Sequence, residues 1–267
     1  MNTQAVIQYI VSWLDKYARE SQTHGFIVGI SGGIDSAITS ALCAMTERPT
    51  LVLSMPIHQH PSHLSRANEH IQWLRRKYAH VTEETVDLTL PFDTWTSVLS
   101  KKPTINTVEF SEANLRARMR MATLYYYATL HGLLVAGTGN KVEDFGIGFF
   151  TKYGDGGVDI SPIADLTKTE VYAVAAELGI VNSIREASPS DGLFGDARSD
   201  EDQIGASYPE LEWAMEFMER FDLGDDPIEF NRQLDMLPLT ARQKEVAGIY
   251  FRMNRRNRHK MIPIPVC

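Results

Sequence analysis

The residues of this chain best suited to chemistry begin with Ser31, Gly32, Gly33, Ile34, Asp35 and Ser36, set between the apolar run 26–30 and the helix-forming segment 37–42. That order reads as strand, phosphate loop, helix. Two glycines let the backbone turn tightly and approach a ligand. Free N–H groups and the dipole at the following helix N-terminus favour an anion. Ser31 and Ser36 add hydroxyl donors. Asp35 would repel a bare phosphate, so its carboxylate suits a helix cap or a ligand for the magnesium that accompanies a nucleoside triphosphate. There is no Gly-Lys-Ser/Thr ending of the Walker type, and Gly29 does not complete a dinucleotide-binding Gly-x-Gly-x-x-Gly pattern.

A second candidate element lies at Gly137-Thr138-Gly139-Asn140-Lys141, a small-residue turn after the apolar strand 133–137, with Glu143 in the next helical turn. Asp35 and Glu143 both fall just past strand ends. Together they could share a hard cation, because magnesium is commonly held by one or two carboxylates plus substrate phosphate. His58, His60 and His63 raise a zinc reading, but no cysteine accompanies them and solvent-facing loop residues are the better expectation.

These residues need a sheet to position them. Apolar runs at 26–30, 50–55, 82–87 and 133–137 alternate with helical patterns at 35–46, 63–77 and 110–131, after a first helix at 4–20. Such alternation predicts an α/β fold: a doubly wound, Rossmann-like parallel sheet with flanking helices, whose ligands sit at the carboxyl ends of the strands. A glycine-rich span at 146–157, a helix at 168–178, a polar stretch at 187–203 and helices at 208–221, 227–236 and 240–253 complete the chain. One domain over 1–267 is expected.

The net charge of −8, from 34 acidic and 26 basic side chains, disfavours nucleic acid as a partner. Arg252, Arg255, Arg256, Arg258 and Lys260 form a local basic exception that could face a phosphorylated ligand or simply solvent. Cys43 and Cys267 are too few and too separate for a disulfide framework or a thiolate cluster. With no signal-type apolar block and no run of eighteen apolar residues, a cytoplasmic protein without a membrane partner is expected.

Ser-Gly-Gly-x-Asp-Ser after a buried strand resembles the PP-loop of the ATP pyrophosphatases, which split ATP between its α and β phosphates to adenylate an oxygen. The run from Gly148 to Gly157, then Asp159, Pro162 and Leu166-Thr167-Lys168, is similar to the ammonia-dependent NAD synthetases. So are the segments from Asn114 to Arg120 and from Ser199 to Gly205, Tyr208, and the terminal pair His259-Lys260. The resemblance implies an adenine nucleotide alpha hydrolase-like fold. It further implies that ATP and ammonia convert nicotinic acid adenine dinucleotide (deamido-NAD) to NAD, AMP and pyrophosphate, the last step of NAD biosynthesis, in a homodimer with the dinucleotide near the interface.

Carried over by position, the resemblance puts Ser31, Gly32, Gly33, Ile34, Asp35 and Ser36 on the β and γ phosphates, with Asp35 and Glu143 on Mg2+. Met55, Thr138, Lys168 and Ser190 would contact ATP, and Arg118, Lys152, Asp155, Asp159, His259 and Lys260 the dinucleotide. Asp35, Lys168 and Asp155 are the implied catalytic set, and Asp155 or Asp159 could take the proton that ammonium must lose. Phe149, Phe150 and Tyr153 could stack on the nicotinate ring or belong to the core. Two departures stand out. Ser54 occupies a position where the family carries Arg, and the spacing from Glu143 to Phe149-Phe150 is one residue longer than in the simplest members. The length before strand 26–30 leaves no room for a glutaminase, so free ammonia or a separate donor protein is expected. Other PP-loop activities, GMP synthesis or tRNA thiolation, and a non-catalytic adenine-nucleotide-binding regulator are the competing readings.

Overall fold

The structure, a computed structural model, describes residues 1–100, 105–189, 199–221 and 223–267. Four short parallel strands, β1 (Gly25–Gly29), β2 (Thr50–Ser54), β3 (Val81–Thr85) and β4 (Leu133–Val135), form a sheet in the order β3-β2-β1-β4. Phe26 lies opposite Thr50 on one side of β1, and Gly25 lies opposite Leu133 on the other. The order reverses between β1 and β4, so the doubly wound arrangement is as expected, and a crevice opens at the carboxyl ends of those two strands. A further parallel bridge joins Ala136 to Ile160 just beyond β4.

Side-chain alternation along β1 splits the core into two layers. Phe26, Val28 and Ile30 pack against α1 (Thr3–Glu20), α2 (Ile34–Ala44) and α6 (Lys168–Leu178). Ile27 faces the other way, toward Phe92 of α4 (Thr89–Val98) and Met119 of α5 (Ile105–His131). Phe26 and Ile27 are wholly buried, each contributing roughly 1.5–3 kcal/mol by leaving water. The helix α3 (Pro61–Lys77) closes the first layer through Ala67, Ile71 and Leu74. Cys43 is part of that layer and Cys267 is exposed.

The later chain adds α7 (Asn182–Arg185), α8 (Asp200–Ile204), α9 (Tyr208–Arg220), α10 (Pro227–Met236) and α11 (Ala241–Met261). The last helix runs past the expected end at 253, because Arg and Lys are good helix formers and basic residues suit a helix C-terminus. The helix α5 likewise starts at Ile105, before the expected 110. The helix α4 was not anticipated. Its burial rests on Phe92 and Thr96, too short a stripe to register as a period. Within the polar stretch 187–203, Ser199 caps α8 through a reciprocal bond with Asp202, and 190–198 lie outside the described residues.

The segment that carries Glu143 is not an ordinary α-helical turn. Val142–Ile147 form a π-helical turn that ends on Gly148 at φ 63, the usual way a helix absorbs one inserted residue.

Candidate functional site

The phosphate loop is shaped by its own side chains before any ligand is considered. The Ser31 hydroxyl accepts from the Gly33 amide at 3.1 Å, and the Ser36 hydroxyl donates to the Gly33 carbonyl at 3.0 Å. The two hydroxyls lie 3.1 Å apart. Gly32 sits at φ +85, and a Cβ there would meet the His63 carbonyl oxygen of α3 at 2.5 Å. Glycine is therefore required on two counts. Gly33 caps α2 without a side-chain bond, and the first amides of a helix have no intrahelical partner, so they face the crevice as anion donors.

Beside the loop, Lys168 joins the two carboxylates read from the sequence. Its Nζ lies 2.7 Å from Asp35 Oδ2 and 3.1 Å from Glu143 Oε1, with the three side chains 3%, 18% and 16% exposed. Burial by itself would lower the Lys168 pKa. Asp35 and Glu143 outweigh it and hold the ammonium charged, well above the ordinary lysine value. Burial pushes Asp35 up, against the pull of Lys168. Asn140 donates to Asp35 Oδ1 at 3.2 Å, and the Tyr208 hydroxyl donates to Glu143 Oε1 at 2.5 Å while lying 3.4 Å from Asp200 Oδ2. Burial, followed by Glu143 and Asp200, raises the phenol far above its usual range. Lys168 is placed by a strong helix start: Thr167 and Glu170 form a capping box at the N-terminus of α6.

A cavity at the strand ends is lined by the phosphate loop, Met55, Thr138, Glu143, Asp155 and Lys168, so most of the expected nucleotide residues converge. Ser190 lies outside the described residues. Asp155 Oδ1 accepts from the Thr151 amide at 2.9 Å at the rim. Phe149 and Phe150 line the same cavity, and Phe149 also packs on the core beneath α9 and α11. Tyr153 is exposed.

The remaining expected residues form a separate group outside the cavity lining. Arg118 Nε donates to the Lys152 carbonyl at 3.3 Å, Lys152 Nζ to the His259 carbonyl at 2.6 Å, and Lys260 Nζ to the Gly148 and Phe150 carbonyls at 3.0 and 2.8 Å. These bonds lash the end of α11 to the glycine-rich loop. Asp159 is engaged on both oxygens, by the Val135 amide and the Tyr125 hydroxyl. Arg255 and Arg258 pair with Asp225.

Four residues with no role in the expected site join it: Asp144 and Asp200 line the cavity, and Asn140 and Tyr208 hold Asp35 and Glu143 through hydrogen bonds. Asp144 follows from the π-turn, and its carboxylate lies where a Cβ on Gly139 would meet it at 2.1 Å. Burial, then Glu143, Asp155 and Asp35, pushes it up to about 8. The histidines do not assemble a zinc site: His58 pairs with Asp93 at 2.7 Å, and no group of three metal-ligating side chains occurs among the described residues. His63, expected in solvent, instead is half-buried and lines the cavity beside the phosphate loop.

Asp35 and Glu143 fit a magnesium ion by chemistry. Both are hard oxygen donors beside a phosphate loop, and no hydrogen bond reaches Glu143 Oε2 among the described residues.

A family model described as NAD synthase matches residues 6–261. The chain is 37% identical over 214 residues to the NH(3)-dependent NAD(+) synthetase of Carboxydothermus hydrogenoformans, covering 79% of this chain and 85% of that one. It is 35% identical to the protein of that name from Archaeoglobus fulgidus over 93% of this chain and 97% of the other. Among solved structures, an NMN synthetase from Francisella tularensis superposes with a TM-score of 0.80 at 27% identity, covering 100% of this chain and 99% of that one.

Proposed function

The chain belongs to the NAD synthase family, and from that premise we propose that its cavity activates the carboxylate of deamido-NAD with ATP for capture by ammonia. The products are NAD, AMP and pyrophosphate, and the reaction forms a C–N bond. The observation that carries this reading is the Asp35–Lys168–Glu143 cluster set against a phosphate loop in one cavity at the sheet's switch point.

A carboxylate is a poor acyl donor toward ammonia, so a nicotinate oxygen first attacks the α-phosphorus. The bond to the β-phosphate breaks, pyrophosphate leaves with the electron pair, and the carboxylate becomes a mixed anhydride with AMP. Ammonia then attacks that carbonyl and AMP departs. Assistance comes from positioning and charge neutralisation rather than from a protein nucleophile. Ser31 to Ser36 hold the β and γ phosphates. Lys168, fixed and charged between two carboxylates, offers its field to the phosphates and keeps Asp35 and Glu143 apart and oriented. Magnesium held by Asp35 and Glu143 would supply further neutralisation of phosphate charge. Met55 and Thr138 border the nucleoside and its phosphates. Asp155, at the cavity rim, takes the proton lost by ammonium, whereas Asp159 has both oxygens committed and positions the strand end. Arg118, Lys152, His259 and Lys260 hold the dinucleotide side of the site, near a homodimer interface. A cytoplasmic setting supplies these substrates, and no described helix is long and apolar enough to cross a membrane.

The whole-chain likeness to an NMN synthetase favours one second reading, in which the acceptor is the mononucleotide. One assay separates the readings: AMP and amide formation from ATP, magnesium and ammonium with either deamido-NAD or nicotinic acid mononucleotide, and glutamine replacing ammonium in a parallel sample. NAD from ammonium is expected. Preference for the mononucleotide by kcat/KM would replace the acceptor, and absence of AMP with both would overturn the enzyme reading.

A further inference from the structure

The cavity has a charge problem that Lys168 does not solve. Among the described residues three cations line it, Lys168, Arg120 and Arg66, against the carboxylates of Asp35, Glu143, Asp155 and Asp200, while burial keeps Asp144 mostly protonated at neutral pH. A nucleoside triphosphate adds several more negative charges. Lys168 is already shared by two of the carboxylates. Arg120 is committed elsewhere, its guanidinium donating to the Met55 carbonyl at 3.0 Å and to Gln59 Oε1 at 2.9 Å.

Arg66 differs from both. It rises from the first half of α3, whose backbone touches the phosphate loop where Gly32 meets the His63 carbonyl and the Ala67 amide. Its Nε donates to the Gly32 carbonyl at 3.2 Å, which fixes the guanidinium against the loop. It forms no ion pair among the described residues. An arginine that donates through Nε alone to a carbonyl of that loop, and is half-buried at the cavity wall, still has its two terminal nitrogens for a bidentate contact with an oxyanion.

We propose that Arg66 contacts the β and γ phosphates of ATP and neutralises the charge that collects on pyrophosphate as the α–β bond breaks. The inference rests on the ATP site proposed above. The Pα–O bond electrons pass to the departing pyrophosphate, which gains one negative charge. A guanidinium beside that group therefore binds the transition state better than the ground state. The phosphate loop supplies dipoles, and Arg66 supplies the full charge that the Lys168 cluster spends on its own carboxylates.

The test compares Arg66→Gln and Arg66→Lys with the unaltered enzyme, reading ATP KM, kcat, and inhibition by inorganic pyrophosphate and by AMP. Loss of a charge-assisted contact is expected to weaken pyrophosphate inhibition and raise the ATP KM about tenfold or more in Arg66→Gln, with kcat also reduced. AMP inhibition should move by less than about twofold, since AMP lacks the phosphates Arg66 would touch, and Arg66→Lys should fall between. A second measurement needs no variant: pyrophosphate should shield Arg66 from phenylglyoxal, read by peptide mass spectrometry, and AMP should not. Pyrophosphate inhibition unchanged in a folded Arg66→Gln protein, or labelling of Arg66 indifferent to pyrophosphate, overturns the proposal. An unaltered protein that releases no AMP fails the ATP-site reading itself, and that result is seen before any variant is compared.

Discussion

Replacing Lys168 with methionine keeps an unbranched stem one atom shorter and leaves Asp35 and Glu143 facing each other without the ammonium between them. At an effective dielectric of about 20, contacts of 2.7 and 3.1 Å are each worth roughly 5–6 kcal/mol before desolvation. Desolvation of a side chain only 3% exposed and repulsion between the two carboxylates consume much of that sum. The expected net loss is the ~3–5 kcal/mol seen when a buried pair loses one partner, a large share of a domain stability of about 5–15 kcal/mol. Urea unfolding at several pH values measures it. Burial already raises the folded pKa of Asp35 against the pull of Lys168, and without the lysine it rises further, so the folded state binds more protons than the unfolded state. The defect must then deepen as pH rises and shrink as it falls. Adding Asp35→Asn to Lys168→Met removes a charge along with its partner and should recover part of the loss. A Lys168→Met protein within about 1 kcal/mol of the unaltered one, or one whose defect does not grow with pH, would refute the claim that this ammonium holds the site together.

Three further outcomes are expected. Gly32→Ala places a Cβ 2.5 Å from the His63 carbonyl at a left-handed φ, so it should cost about 1–3 kcal/mol and weaken ATP binding in calorimetry; unaltered ATP affinity would contradict the loop geometry. His70 is buried with Nδ1 unpartnered among the described residues and Nε2 2.9 Å from Ser40 Oγ, and burial lowers its pKa from 6.5 to about 4. The unfolded state therefore takes the proton first, and ~3 kcal/mol of stability should be lost as pH falls from about 6.5 to 4. His70→Gln should flatten that slope, and an unchanged slope in the variant would assign the acid loss elsewhere. Tyr208→Phe removes the hydroxyl that orients Glu143 and should lower kcat about tenfold with little change in deamido-NAD KM, a net loss of one strong hydrogen bond; a KM effect alone would move Tyr208 to the substrate.

The turn between β1 and α2, the alternation of strands and helices, and the meeting of Asp35 and Glu143 were legible because each has a local cause: a glycine at a turn, an apolar run, a carboxylate one step past a strand. Residues 168–178 were read to the residue, because Thr167 and Glu170 cap that helix within four positions. What escaped was set by distance in the fold. Tyr208 reaches Glu143 from a helix 65 positions away, and Arg66 meets Gly32 from 34 positions away. No spacing in the sequence encodes either encounter. His63 looked like one of three solvated histidines, and only the packing of α3 on the loop takes it out of solvent. Lys168 was expected on phosphate; its bonds to both carboxylates became visible only when three separate strand and helix ends met.

The π-turn of Val142–Ile147 makes the site editable by insertion and deletion. Removing one residue from it would return an ordinary helical turn, rotating the segment that directly follows by about 100° and drawing it back about 1.5 Å. Asp35 and Lys168, carried by α2 and α6, would stay where they are, and Glu143, inside the turn, would shift with it. Phe149, Phe150 and Asp155 would be re-aimed as a block. A single-residue change in that turn would therefore reshape the cavity wall formed by Phe149, Phe150 and Asp155 while leaving the loop between β1 and α2 untouched.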